Sequence, residues 1–314
     1  MDRGFTARTA AGAAVIVLGM TGCAATGGSG EVGSTRDAVS VVASTTILGS
    51  VAGQVTACGG GEVQTLMPVG ADPHDYAPSS ADVAAMVEAS LVITNGLGLE
   101  EGLASALGTA EEDGATVLEV GPAVDPQPLS GATGSTDPHV WLDVSRMATA
   151  ATLIGDELAT VTGDATYAAC GAQVATTLTE TDAQVRAILD AVPAASRVLV
   201  TDHDAFGYFS RAYDFTVIGV VIPGGSTLAQ PSSSELAGLA ETVRRAGVEA
   251  IFANTANSTA LVDGLAHEVG TRVSVVELYV GSLGAAGSGA DTYQTMMLAD
   301  AHLIADALAD QGSP

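Results

Sequence analysis

Past residue 38 the chain is one alternation used twice. Short runs rich in Val, Ile and Leu predict strands at 39–43, 63–67, 91–94 and 115–120, with helical patterns at 47–56, 79–89, 97–107 and 144–161. After the break Thr162-Gly163-Asp164 comes a long helical pattern, 165–192, with Val174, Leu178, Val185 and Leu189 at helical spacing. The alternation then restarts: strands at 197–201, 215–221, 250–253 and 273–277, helices at 205–213, 233–246, 258–269 and 291–309. Strands separated by helices form parallel sheets, because each parallel crossover consumes a helix. The expected fold is therefore α/β: two Rossmann-like lobes, residues 38–162 and 194–314, joined by one long rigid helix in 163–193. In open parallel sheets, ligands bind at the carboxyl ends of the strands. Two such sheets facing each other leave a cleft for a site.

The first 22 residues read as an export signal. Arg3 and Arg8 precede an apolar stretch from Ala10 to Met20, too short for the roughly 20 residues that span a bilayer. The sequence Met20-Thr21-Gly22-Cys23 resembles a bacterial lipobox, which makes Cys23 the lipidated first residue of the exported protein. The alternative is a plain secretory signal. Residues 23–37 are rich in Gly, Ser and Thr and predict a flexible tether. The expected location is the outer face of the cytoplasmic membrane, held by lipid on Cys23. Cys58 and Cys170 remain; in an oxidising compartment they form either one disulfide or two buried thiols.

Charge narrows the function. Ten basic residues against 36 acidic ones give a net charge of −26. That disfavours nucleic acid, and equally any anionic membrane surface bound through charge. The five histidines are more informative. His267 and His302 fall in helical patterns. His74, His139 and His203 fall in loops: Asp72-Pro73-His74, Asp137-Pro138-His139 and Thr201-Asp202-His203-Asp204. Proline fixes its own φ and restricts the residue before it, so the Asp-Pro-His frames present an imidazole with little loss of entropy. Three imidazoles converging from three loops suit a borderline divalent ion, zinc first. The neighbouring Asp72, Asp137 and Asp204 are read as turn or capping residues, the alternative being acceptors that orient the imidazoles. Trp141, Tyr76 and Phe206 are read as cleft packing.

The stretches VVASTTILGSVAGQV, LMPVGADPHDYAPSSADVAAMVEASLVITNGLGLE, DPHVWLDV, TDHDAFGYFSRAYDF and ADTYQTMM, in this order, resemble the zinc/manganese-type solute-binding lipoproteins of metal ABC importers. The resemblance implies two lobes on a rigid helix and a metal ion held in the cleft by His74, His139 and His203. It implies an ABC permease as partner, and a monomeric receptor is expected. It places the family's fourth, acidic ligand at Gly281, which has no side chain. Water, Glu277, Asp204 or Asp291 would have to replace it. The ligand set favours Zn²⁺ over Mn²⁺, which prefers oxygen. The resemblance also puts Cys58 and Cys170 at the end of the first lobe away from the metal, where a bridge between them is plausible.

Two other classes compete with a metal receptor. A zinc metalloenzyme would use the open fourth position to activate water, but the sequence offers no dedicated general base. A surface adhesin is the other, a role described for members of this family. No nucleophile–base pair or phosphate loop argues for an enzyme, and the expectation is a receptor.

Overall fold

The computed structural model describes residues 39–130, 134–270 and 273–309. The export signal, Cys23 and the tether lie outside the described residues. The first sheet contains β1 (Ser40–Ala43), β2 (Glu62–Thr65), β3 (Leu91–Thr94) and β4 (Val117–Glu119), all parallel, in the order β2-β1-β3-β4. The second contains β5 (Val198–His203), β6 (Thr216–Ile222), β7 (Ala250–Asn254) and β8 (Ser274–Leu278), parallel again and in the matching order β6-β5-β7-β8. Each sheet thus reverses its strand order once, between its first and third strands. That reversal is where an open α/β sheet opens a crevice at its carboxyl edge.

The inner strands are buried on both faces, as parallel strands covered by helices must be, while the edge strand β2 exposes Glu62 and Gln64. In β1, Val41 and Ala43 face the main core while Val42 faces a smaller cluster with Met86, Val92 and Leu103. Helix α1 (Thr46–Cys58) starts where the Thr45 hydroxyl accepts from the Leu48 N–H at 3.1 Å. Helices α2 (Ser80–Glu88) and α7 (Ser233–Ala246) open with reciprocal capping boxes, Ser79 with Asp82 and Ser232 with Glu235.

One expected helix is moved. Residues 97–107 do not form a continuous helix. Gly96, Leu97 and Gly98 have φ of 72°, 58° and 80°, a short 3₁₀ turn follows at Glu101–Leu103, and α3 runs Ala104–Glu112. The cause is the buried Glu100 carboxylate, which accepts the backbone N–H groups of Asn95 and Gly96 at 2.7 and 3.1 Å. Those bonds fold the chain back over the end of β3 before a helix begins.

Helices α4 (Val144–Thr162) and α5 (Thr166–Leu189) form a hairpin about Gly163, which takes the left-handed conformation at φ 69°. With 24 residues, α5 is roughly 36 Å long. It does not bridge the sheets alone. The last helix, α9 (Tyr293–Ala309), packs on α5, on α1 and on β8. It is tied to α1 by a bond from the Tyr293 N–H to Ser50 Oγ at 3.0 Å and by Gln54 against Gln294. One hydrophobic core therefore runs from Val41 and Leu91 through Ile154 and Leu178 to Phe252 and Leu278. The structure joins Cys58, the last residue of α1, to Cys170 in α5 by a disulfide, with Cα atoms 5.9 Å apart. Among the described residues no helix is long and apolar enough to cross a membrane.

Candidate metal centre

The three histidines come together from both lobes. His74 lies in the loop after β2, His139 just before the 3₁₀ turn Val140–Leu142 that leads into α4, and His203 is the last residue of β5. Their side chains are buried, and one nitrogen from each lies within 4.8 Å of the others. The Nε2 atoms of His74 and His203 each stand 3.3 Å from Nε2 of His139.

In both Asp-Pro-His frames the Asp carboxylate accepts the His backbone N–H two residues on, at 3.0 Å. This is an Asx turn, and proline stiffens it. The two frames then diverge. Asp137 Oδ1 also receives Nδ1 of its own histidine at 2.8 Å, which turns Nε2 toward the cleft. Asp72 sends its other oxygen across to the second lobe, and Nδ1 of His74 has no hydrogen-bond partner among the described residues. His203 is oriented by Asp202, whose Oδ1 faces Nδ1 at 3.0 Å. Asp204, the neighbour singled out in the sequence, is not hydrogen-bonded to an imidazole among the described residues. Sequence reasoning passed over Asp202: the expected strand ended at residue 201, whereas β5 runs on to His203, and the Asp202 carboxylate turns to the ring of its neighbour.

The surrounding loops are held just as firmly. Glu100, buried at the switch point of the first sheet, accepts from Ser44 Oγ at 2.7 Å and from the backbone of Asn95. Asn95 Nδ2 in turn donates to the Pro138 carbonyl at 2.9 Å and so anchors the His139 loop. Trp141 packs its ring 5.3 Å from His139 and donates Nε1 to the Val280 carbonyl at 2.8 Å. Tyr76, read in the sequence as cleft packing, instead bonds the Leu66 carbonyl and Asp82 and packs with the outer cluster of the first lobe.

Electrostatics set the protonation. Burial, and then the charges of His139 and His203, push His74 down from 6.5 to about 3. Burial and His203 likewise hold His139 well below its ordinary value. For His203 burial acts in the same direction, but the hydrogen bond and charge of Asp202 outweigh it and raise the imidazole. Burial raises Asp137 to about 7, against the pull of the His139 N–H and Arg211. Of the three imidazoles, His203 is the one whose hold on a proton is strengthened.

Gly281 sits beside the cluster. A Cβ there would lie 3.1 Å from Pro73 Cδ and 3.3 Å from Asn254 Nδ2, and the Gly281 N–H donates to Asn254 Oδ1 at 3.3 Å. Glu277 and Asp291 are exposed, and no carboxylate among the described residues joins the three-histidine group.

A two-lobed α/β receptor with imidazoles gathered in its cleft is the architecture of a solute-binding component of an importer. The chain belongs to the family described as zinc-uptake complex component A, periplasmic, which it matches over residues 41–307. It is 33% identical over 276 residues to the zinc-binding protein TroA of Treponema pallidum, covering 84% of this chain and 88% of TroA. It is 30% identical over 291 residues to the manganese-binding lipoprotein MntA of Halalkalibacterium halodurans, covering 90% of this chain and 92% of the relative. The solved structure of Treponema pallidum TroA superposes with a TM-score of 0.80 at 30% identity, over 87% of this chain and all of that one. The chain is thus a metal-binding substrate receptor of ABC importers, and not an enzyme.

Proposed function

We propose that the protein captures extracytoplasmic Zn²⁺ through Nε2 of His74, His139 and His203 and hands it to an ABC permease. The observation that carries this reading is the spacing of the cluster. Two nitrogens on one zinc, each about 2.05 Å away at the tetrahedral angle, stand about 3.3 Å apart, and both Nε2 pairs around His139 stand at 3.3 Å. The donor set supports zinc as well. Imidazole suits zinc, manganese prefers oxygen, and among the described residues no carboxylate joins the group. Water completes the fourth position. The relatives include a manganese binder, so the choice of metal is the part under test. In this reading residues 1–22 direct export and Cys23 carries the lipid anchor. The lobes are 38–162 and 194–314, with 163–193 linking them, and the receptor works as a monomer.

Calorimetric titration of Zn²⁺ into chelator-stripped protein lacking residues 1–23, with and without excess Mn²⁺, tests the choice of metal. One-to-one binding that ignores Mn²⁺ is expected. Competition by Mn²⁺ would overturn the zinc assignment.

A further inference from the structure

Among the described residues, Asp72 is the one member of the two Asp-Pro-His frames whose carboxylate hydrogen-bonds across the cleft. Its Oδ1 accepts the His74 N–H at 3.0 Å and so shapes the loop that presents the first-lobe histidine. Its Oδ2 accepts the hydroxyl of Thr227, in the loop between β6 and α7, at 2.5 Å. The same oxygen accepts Nδ2 of Asn257 at 2.8 Å once that amide is oriented to satisfy both its neighbours.

The chain of contacts continues. In that orientation Asn257 Oδ1 accepts from Asn254 Nδ2 at 3.2 Å. The backbone N–H of Asn254 donates to Asp202 Oδ2 at 3.3 Å. Asp202 Oδ1 holds Nδ1 of His203 at 3.0 Å. A continuous polar path thus joins the histidine of one lobe to a histidine of the other without passing through the metal position. Asp72 and the His74 loop are its only first-lobe parts. Other bonds cross between the lobes, such as Gly70 N–H to Ser282 Oγ at 2.8 Å. The His139 loop is also crossed, by the Tyr208 hydroxyl donating to the Asp137 carbonyl at 2.9 Å, but there the acceptor is backbone and not a carboxylate.

We propose that Asp72 is a positioning residue that latches the lobes over the ion: Thr227 and Asn257 engage its carboxylate only while the second lobe is seated, so lobe seating fixes His74. This rests on the three-histidine reading above. A hydrogen bond to a half-buried carboxylate is stronger than one between neutral groups, and breaking it opens the cleft on the side of the least supported imidazole. The latch therefore governs escape of the ion more than its capture.

Zinc release from protein lacking residues 1–23 into excess chelator, followed by stopped flow, tests this. Asp72→Asn keeps an oxygen for the His74 N–H but loses the second acceptor. Thr227→Val removes the donor from the other lobe, and Thr227→Ser keeps it. Asp72→Asn and Thr227→Val are each expected to release zinc about tenfold faster, with unchanged association rates. Thr227→Ser should match the wild type, and the double variant should release no faster than Asp72→Asn alone. Release within about twofold of wild type for both, or effects that multiply in the double variant, would overturn the latch. If Asp72→Asn does not fold, the Thr227→Val and Thr227→Ser pair decides alone. Wild type that fails to bind zinc would overturn the reading beneath it. Wild-type binding that is lost in His203→Ala, with release unaltered in Thr227→Val, overturns only the latch.

Discussion

At the residue scale, the site is a proton-accounting problem. Near pH 6, His74 at about 3 is neutral and His139 is held well below its ordinary value, while Asp202 raises His203 above 6.5. An incoming ion has to displace the His203 proton. Affinity should fall as pH drops below the raised value of His203, by about tenfold per pH unit. Titrations near pH 6 in buffers of different ionisation enthalpy should show at least one proton released per zinc, from His203, and up to one more from Asp137, which burial holds at about 7; no release would contradict the assignment. Stability without metal runs both ways. The His203–Asp202 pair contributes fully below the ordinary imidazole value of 6.5, and that contribution is lost as pH rises through the raised folded value. His74 acts oppositely: its folded value is about 3, so the fold weakens as pH falls from 6.5 toward 3. Asp137→Asn keeps the size of the side chain but weakens its hold on Nδ1 of His139. It should lower zinc affinity about 10- to 100-fold, measured by chelator competition. His74 and His139 were legible in the sequence because Asp-Pro-His is local punctuation, and His203 because it falls in the loop expected after a strand. Asp202, Asn254 and Asn257 were not, since their roles depend on how strand ends far apart in the chain come to meet.

At the element scale, the α4–α5 hairpin is the tightest joint in the protein. Gly155 and Gly171 face each other across it: a Cβ on Gly155 would lie 2.6 Å from the Tyr167 carbonyl oxygen and 2.8 Å from Gly171 Cα. Backbone cannot yield as a side-chain tip can, so Gly155→Ala should cost about 1–3 kcal/mol, read as a lower midpoint in urea. The Cys58–Cys170 bridge spans a sequence separation of 112 and ties α1 to the same hairpin. Reduction should cost about 2–5 kcal/mol. Equal thiol counts in the denatured protein before and after reduction would show that no bridge forms. The helices of the hairpin were readable from apolar spacing. Their glycine contact was not, because nothing local to Gly155 says that Gly171 will lie against it. The start of α3 was misplaced for a similar reason, since the Glu100 side chain replaces the first helical turn as the partner of two backbone N–H groups.

At the scale of the whole molecule, the alternation of strand and helix was enough to give two parallel sheets, and their matching strand orders place both switch points at the cleft. What the sequence did not disclose is that one core unites them. The apolar face of α9 is compatible with any partner, and only the structure shows it returning to α1 and α5. A shared core resists hinge opening. Small-angle scattering of metal-free and zinc-loaded protein should therefore differ in radius of gyration by less than about 1 Å, and a larger change would mean that the core parts. Within this stiff frame the three proposed ligands are unequal. His139 and His203 are braced by carboxylates, whereas Nδ1 of His74 has no brace among the described residues. On the three-histidine reading, ligation would have an order: the ion would meet two fixed rings first, and the unbraced ring would close on it last. Unloading would reverse the sequence, so a membrane partner would need only to loosen one loop to turn a buried ion into one held by two ligands and ready to leave.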